Sequence, residues 1–381
     1  MMDRIYMDHG ATSPMLPEAL DIMTDILRNA YGNPSSIHGT GRQARKIVEE
    51  ARRQAAKALN ALPEEIFFTS GGTEGDNWAL RGMTARGGHV ITSSVEHHAV
   101  LHTCAALEKH GIESTFLPVD ENGRVRLEDA ERAMRENTCL VSLMLANNEI
   151  GTIEPVKEVC ASAHARGIPV HTDAVQAFGG IPVDVQELGV DILSLSAHKF
   201  GGPKGIGIMY VRKGTRLERY MTGGEQERRM RAGTENVASI AAAGAAMEAV
   251  SRSLPERIAK IRQMRDHLEE GIVREIPDVL INGGEAQRIP GCLNVSFLGL
   301  EGEAVLLRLD LAGIAASSGS ACTAGSLDPS HVLMAIGRTR AQAQASVRFT
   351  LGVENSMAEV DEVLEVLPPL VADLRRLSGR A

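Results

Sequence analysis

Aromatic residues are scarce, at 3% of a 381-residue chain, and the few present are not interleaved with blocks of Lys or Arg. With 49 acidic against 40 basic residues the formal charge is −9, so the composition speaks against a nucleic-acid partner. No apolar run is long enough to span a bilayer, and the opening residues, MMDRIYMDHG, are charged within four positions and lack the apolar stretch of a secretory leader. A cytoplasmic protein without membrane contact is expected. Cysteine is also sparse: five, at 104, 139, 160, 292 and 322, odd in number, with no CxxC pair and no zinc-ligand spacing. Neither a disulfide framework nor a resident metal is expected.

What is present is an ordinary globular balance, 43% hydrophobic and 23% charged, on a length that allows two or three domains. From about residue 15 to 250 apolar runs alternate with helical periodicities, the pattern of strands joined by crossover helices into a mostly parallel sheet. EEIFFTS, GHVITSSV, CLVSLMLA and GIPVHTDAV read as strands, and ARKIVEEARRQAAKAL as a helix. DILSLSAHKFGGPKGIGIMYV reads as two strands reversing at a Gly/Pro turn, so the sheet is expected to be mixed. After the alanine-rich ASIAAAGAAMEAV and the charged helical stretch PERIAKIRQMRDHLEEGIVREI, a smaller α+β unit follows. The expected division is a large domain over 15–255 and a small one built from 1–14 plus 256–381.

Cys139 and Cys160 sit in strand-like and helix-like apolar patterns that suit core packing, whereas Cys322 lies in GIAASSGSACTAGSLDPSH, where nothing nearby can bury it. A reactive thiol needs exposure and a route to thiolate, so this setting leans toward chemistry. Three other pieces carry weight together. SGGTEGDN follows a strand with small residues that open a helix, a cup for a phosphate at backbone N–H groups. Asp173 closes an apolar strand, where a carboxylate needs a partner such as a cationic ring nitrogen; a structural cap is the rival reading. Lys199 ends another strand ahead of a glycine turn, which would put its amine in a cleft suited to nucleophilic use. Phosphate cup, carboxylate and lysine are what pyridoxal 5′-phosphate requires.

Together with GNPSSIH, ANNEIGTIEPV, RRMRAGTENVASI, SACTAGSLDPSHVL and VRFTLG, these segments resemble the cysteine desulfurases of the NifS/IscS type, fold-type I pyridoxal-phosphate enzymes of the class-V aminotransferase family. The likeness runs from YMDHGAT to the last helix. It implies a mixed, mostly parallel sheet flanked by helices, with a smaller α+β domain bearing a mobile cysteine loop at about 314–331. It also implies that Lys199 bonds the cofactor and moves protons, Asp173 pairs with the ring nitrogen, Gln176 with the ring phenolate, and His97 stacks on the ring. Gly72, Thr73, Ser196 and His198 would hold the phosphate, and Thr234 would reach the phosphate of a second copy, making the site a product of a homodimer. Asn148, Arg348 and Asn33 would bind substrate L-cysteine, and Cys322 would take its sulfur as a persulfide, leaving alanine. The persulfide would pass to an acceptor such as an iron–sulfur scaffold protein, a role that leaves Cys322 open to serving also as a transient cluster ligand. An aminotransferase on the same frame would have no use for Cys322. Two positions depart from the family pattern, MDHGAT near the start and Thr350 where serine is usual.

Overall fold

In the computed structural model, which describes residues 4–319 and 328–379, the chain opens with a two-residue strand, β1 (Ile5–Tyr6). The main sheet takes β2 (Ile66–Thr69), β3 (His89–Ser93), β4 (Glu113–Leu117), β5 (Thr138–Ser142), β6 (Val170–Asp173), β7 (Ile192–Ser196) and β8 (Gly207–Val211). Their order is β2-β8-β7-β6-β5-β3-β4. Pairings from β7 out to β4 are parallel, while β8 runs antiparallel to both β7 and β2. The sheet is therefore mixed and mostly parallel, reversed where the Gly/Pro turn separates β7 from β8. Parallel neighbours need crossovers, and the helices His98–Glu108, Leu127–Ala133 and Val156–His164 supply them.

One consequence of this topology positions the site. Strands β2, β3, β5, β6 and β7 all point the same way, so the residues that follow them meet along one edge, where open α/β sheets bind ligands.

The remaining strands are β9 (Val279–Asn282), β10 (Cys292–Phe297), β11 (Ile314–Ala315) and β12 (Ser346–Thr350). β12, β10 and β9 form an antiparallel sheet in that order, and β11 pairs in parallel with β1. The two largest apolar cores are separate. One gathers residues such as Val48, Phe68, Leu143, Leu193 and Met247 around the main sheet; the other gathers Ile5, Met7, Leu268, Phe297, Phe349 and Leu367.

The helix Gly39–Leu59 is capped by His38, whose Nδ1 accepts the Gly41 N–H, and stops at Asn60 in the left-handed region at φ 55°. It lies against the alanine-rich helix Val237–Arg252. A Cβ on Gly244 would come within 2.8 Å of the Ala51 backbone, so small residues there set how closely the two helices approach.

The same helix carries Arg52, whose side chain is almost fully buried. Its guanidinium grips both oxygens of buried Glu227 at 2.9 and 2.8 Å and donates to the Ile66 carbonyl at 2.7 Å, while Glu227 Oε2 accepts the Phe68 N–H. Glu227, Arg228 and Arg229 have φ of 45°, 56° and 69°, a left-handed run that costs non-glycine residues about 1–3 kcal/mol each. The ion pair clamps that turn to β2. Arg52→Ala strands a buried carboxylate, so the expected loss of unfolding free energy is about 3–5 kcal/mol, read from a denaturant titration. A loss under about 1 kcal/mol would contradict the clamp.

Candidate active site

At the carboxyl edge of the main sheet lies a cavity of about 390 Å³. Its first corner is the turn after β2, where the helix Gly72–Met83 begins with Gly71 at the N-cap and no capping side chain. Gly72 and Thr73 line this corner with Ser196 and His198, which follow from β7. A Cβ on Gly72 would meet Val175 Cγ2 at 2.6 Å, so only glycine lets the helix start sit this close to the end of β6. Exposed backbone N–H groups and the helix dipole suit an anion. Burial, then Lys199 and Lys204, push the His198 pKa down to about 4, leaving a neutral ring whose Nδ1 lies 3.1 Å from Thr12 Oγ1.

The middle of the cavity gathers His97, Asp173, Gln176 and Lys199. Asp173 is buried and accepts the Val175 N–H at 2.9 Å; burial raises its pKa to about 6, against that hydrogen bond and the Lys199 charge. Lys199 Nζ donates to the carbonyls of Gly10 at 2.6 Å and Ala11 at 2.9 Å. Gln176 Nε2 donates to the same Gly10 carbonyl at 2.9 Å. His97 caps the helix His98–Glu108, its Nδ1 accepting the Ala99 N–H at 3.1 Å. Burial, with Lys199 next, drives its pKa down to about 4, so the ring is neutral and carries its proton on Nε2. Of the adjacent pair, His98 turns away, its ring 4.8 Å from those of His102 and His331.

The far corner holds Asn148 and Arg348. Arg348 Nη1 donates to the Asn148 carbonyl at 2.8 Å, and Nη2 to Ser317 Oγ at 2.9 Å and Asp8 Oδ1 at 3.1 Å, whereas its buried Nε has no hydrogen-bond partner. Gly319, three positions ahead of Cys322, lines the same cavity. Cys322 itself, and with it the middle of the expected 314–331 loop, lies outside the described residues. The four described cysteines are thiols without disulfides. Burial pushes Cys104 and Cys160 up to about 12 and Cys292 to about 11, and raises Cys139 as well, which suits inert core residues.

Two expected residues are not brought to the cavity. Asn33 is exposed and uses its side-chain oxygen on the Ser35 N–H at 2.9 Å. Thr234 is exposed beyond the Glu227 turn. The sequence reading missed Asp76 and the carbonyls of Gly10 and Ala11. Asp76 stands one helical turn after Gly72 in SGGTEGDN, so its spacing placed it on the cup's face.

The model of the aminotransferase class-V family matches residues 5–363. Cysteine desulfurase IscS of Clostridium botulinum (strain Hall) is 47% identical over 384 residues, covering 99% of this chain and 97% of that one. The same-named protein of Dictyoglomus turgidum is 48% identical over 382 residues, with 99% and 97% covered. The chain belongs to the cysteine desulfurases of the NifS/IscS type. A solved NifS-like protein superposes with a TM-score of 0.91 at 38% identity, covering 97% of this chain and all of that one. The apo cysteine desulfurase of Thermococcus onnurineus does so at 0.87 and 26% identity, with 97% and 95% covered.

Desulfurases of this family use pyridoxal phosphate, and the residues around the cavity fit it. A helix start opened by glycine, suited to a phosphate, a buried carboxylate and a lysine amine held by two backbone carbonyls line the same cavity.

Proposed function

We propose that this chain removes sulfur from L-cysteine, with Cys322 as the acceptor, and releases L-alanine. The observation that carries the reading is the single cavity: Lys199, Asp173 and Arg348 line it together with Gly319, on the segment leading to Cys322. Three extended residues reach about 10 Å, enough to bring a thiol from Gly319 into the cavity.

Bound pyridoxal phosphate supplies electron withdrawal at the substrate Cα. The protein does the rest. Gly72, Thr73, Ser196 and His198 would hold its phosphate, Asp173 its ring nitrogen and Gln176 its phenolate oxygen, and His97 would cover the ring with a neutral imidazole. Lys199 would hold the cofactor through its amine, and that amine, when free, would take the proton from Cα. Arg348 and Asn148 orient the substrate carboxylate. The Cys322 thiolate then attacks the substrate sulfur: a new S–S bond forms, the substrate C–S bond breaks with its electron pair passing to Cβ, and one proton added at Cβ together with one returned to Cα by Lys199 yields alanine. The sulfur stays on Cys322 as a persulfide for a protein acceptor, such as an iron–sulfur scaffold.

The division into 15–255 and 1–14 plus 256–381 serves this chemistry, the first part offering the cofactor site and the second Arg348 and Cys322. We also read the working form as a cytoplasmic homodimer in which Thr234 reaches the phosphate bound by the other copy. Tyr31 and Ile37, 84% and 91% exposed on either side of Asn33, support a covered face there, which would give Asn33 its place near substrate. Among the described residues no helix is long and apolar enough to cross a membrane.

Alanine and sulfide formed from L-cysteine by the cofactor-loaded protein, with a thiol reductant, test the activity; formation of neither refutes it. Asp173 adds a pH dependence. Its pKa is raised to about 6 by burial, so below that pH the carboxyl takes a proton and loses its pull on a ring cation. Cofactor affinity is expected to fall up to about tenfold per pH unit below pH ~6, beyond any change shared by Asp173→Asn. Parallel curves for the two proteins would contradict the pairing.

A further inference from the structure

The proposed chemistry uses every titratable group lining the described cavity except Asp76. This carboxyl is 1% exposed. The Ser194 hydroxyl hydrogen-bonds it, but Oδ1 has no hydrogen-bond partner, and the imidazole facing it, His171 Nε2, stands 3.6 Å away. That imidazole offers no positive charge. Its nitrogens lie 2.9 Å from Ser142 Oγ and 3.0 Å from Ser194 Oγ, and burial drives its pKa down to about 3. An ionised carboxylate buried with so few donors is unstable.

Asp173 is placed differently. It accepts a backbone N–H, lines the cavity, and feels the Lys199 charge. One oxygen of each carboxyl and a ring nitrogen of His97 lie within 4.8 Å of one another. Two carboxyls this close, away from water, do not both ionise near neutrality.

We propose that the Asp76–Asp173 pair keeps one proton at neutral pH, held on Asp76, so that Asp173 alone presents negative charge to the cavity and Asp76 acts as its positioning residue. This rests on the reading of Asp173 as the partner of the cofactor's ring nitrogen. The groups facing Asp76 agree with it. From the turn after β3 come Glu96, buried and pushed up to about 8, and neutral His97; from β6, Asp173 and neutral His171; from β7, Ser194. Burial first, then Asp173, hold the Asp76 carboxyl well above the usual range. A second negative charge appears beside Asp173 only on the alkaline side.

Infrared difference spectra locate the proton. Wild type minus Asp76→Asn, recorded near neutral pH on cofactor-free and cofactor-loaded protein, is expected to show the carbonyl band of a protonated carboxylic acid that shifts in D2O. Protonated Glu96 cancels in the difference. Asp173→Asn is expected to keep the band. No band, or a band lost with Asp173→Asn and kept in Asp76→Asn, overturns the assignment. The positioning role is read from the absorbance of bound pyridoxal phosphate against pH: wild type is expected to show an alkaline step that Asp76→Asn lacks. A step shared by both, or absent from wild type, overturns that role. Because the infrared measurement works without cofactor, it stands or falls separately from the desulfurase reading, which fails instead if alanine is not formed.

Discussion

Lys199→Ala is expected to lower alanine formation from L-cysteine by at least about 10³-fold, the range for removing a positioned acid–base group, and to abolish covalent retention of the cofactor. The amine reaches the cavity from the short turn after β7 and donates to the Gly10 and Ala11 carbonyls. Those acceptors are backbone carbonyls of the N-terminal segment. Lys199 is only half-buried, so the variant's denaturation midpoint should stay near that of wild type. Activity retained within about tenfold would mean that another group performs the proton transfer.

The second large effect is expected at Arg348. It lies on β12 opposite Asn294 of β10, nearly fully buried, with Nη1 and Nη2 committed to Asn148, Ser317 and Asp8 and Nε left without a partner. A substrate carboxylate would satisfy that orphan donor and compete with Asp8 for the guanidinium. Lysine keeps the charge but not the planar fork. Arg348→Lys should lose about 2–3 kcal/mol of transition-state binding, roughly 10²-fold in kcat/KM for L-cysteine. Cysteamine, which lacks the carboxylate, separates the explanations: its slow turnover should be the same in wild type and variant. Equal losses on both compounds would assign Arg348 a structural role.

The sequence revealed the centre of this fold better than its edges, for a physical reason. β2, β3, β6, β7 and β8 are buried along their whole length; β2 and β8 read as near-continuous apolar runs, whereas His, Thr, Ser and Asp interrupt the other three. β4, ESTFL, is a half-exposed edge strand, and β1 and β11 have two residues each; none is long or regular enough to show a period. The cavity was legible because parallel strands deliver their carboxyl ends to one edge, which turned the glycine-rich helix start, Asp173 and Lys199 into neighbours. Asp76 carried a weaker signal, its one-turn spacing from Gly72: a charged residue on a helix is usually solvated, and its burial against His171 of β6 and Ser194 of β7 comes from tertiary packing. The Gly10 and Ala11 carbonyls could not be read at all, since backbone acceptors leave no mark on residue type.

The central claim is that Cys322 takes the sulfur. It is tested most directly by counting alanine formed per active site from L-cysteine without reductant, in wild type and Cys322→Ala. About one alanine per site in wild type and none in the variant, as expected of a single turnover with no acceptor, is the result this account predicts. Equal alanine in both proteins would contradict it.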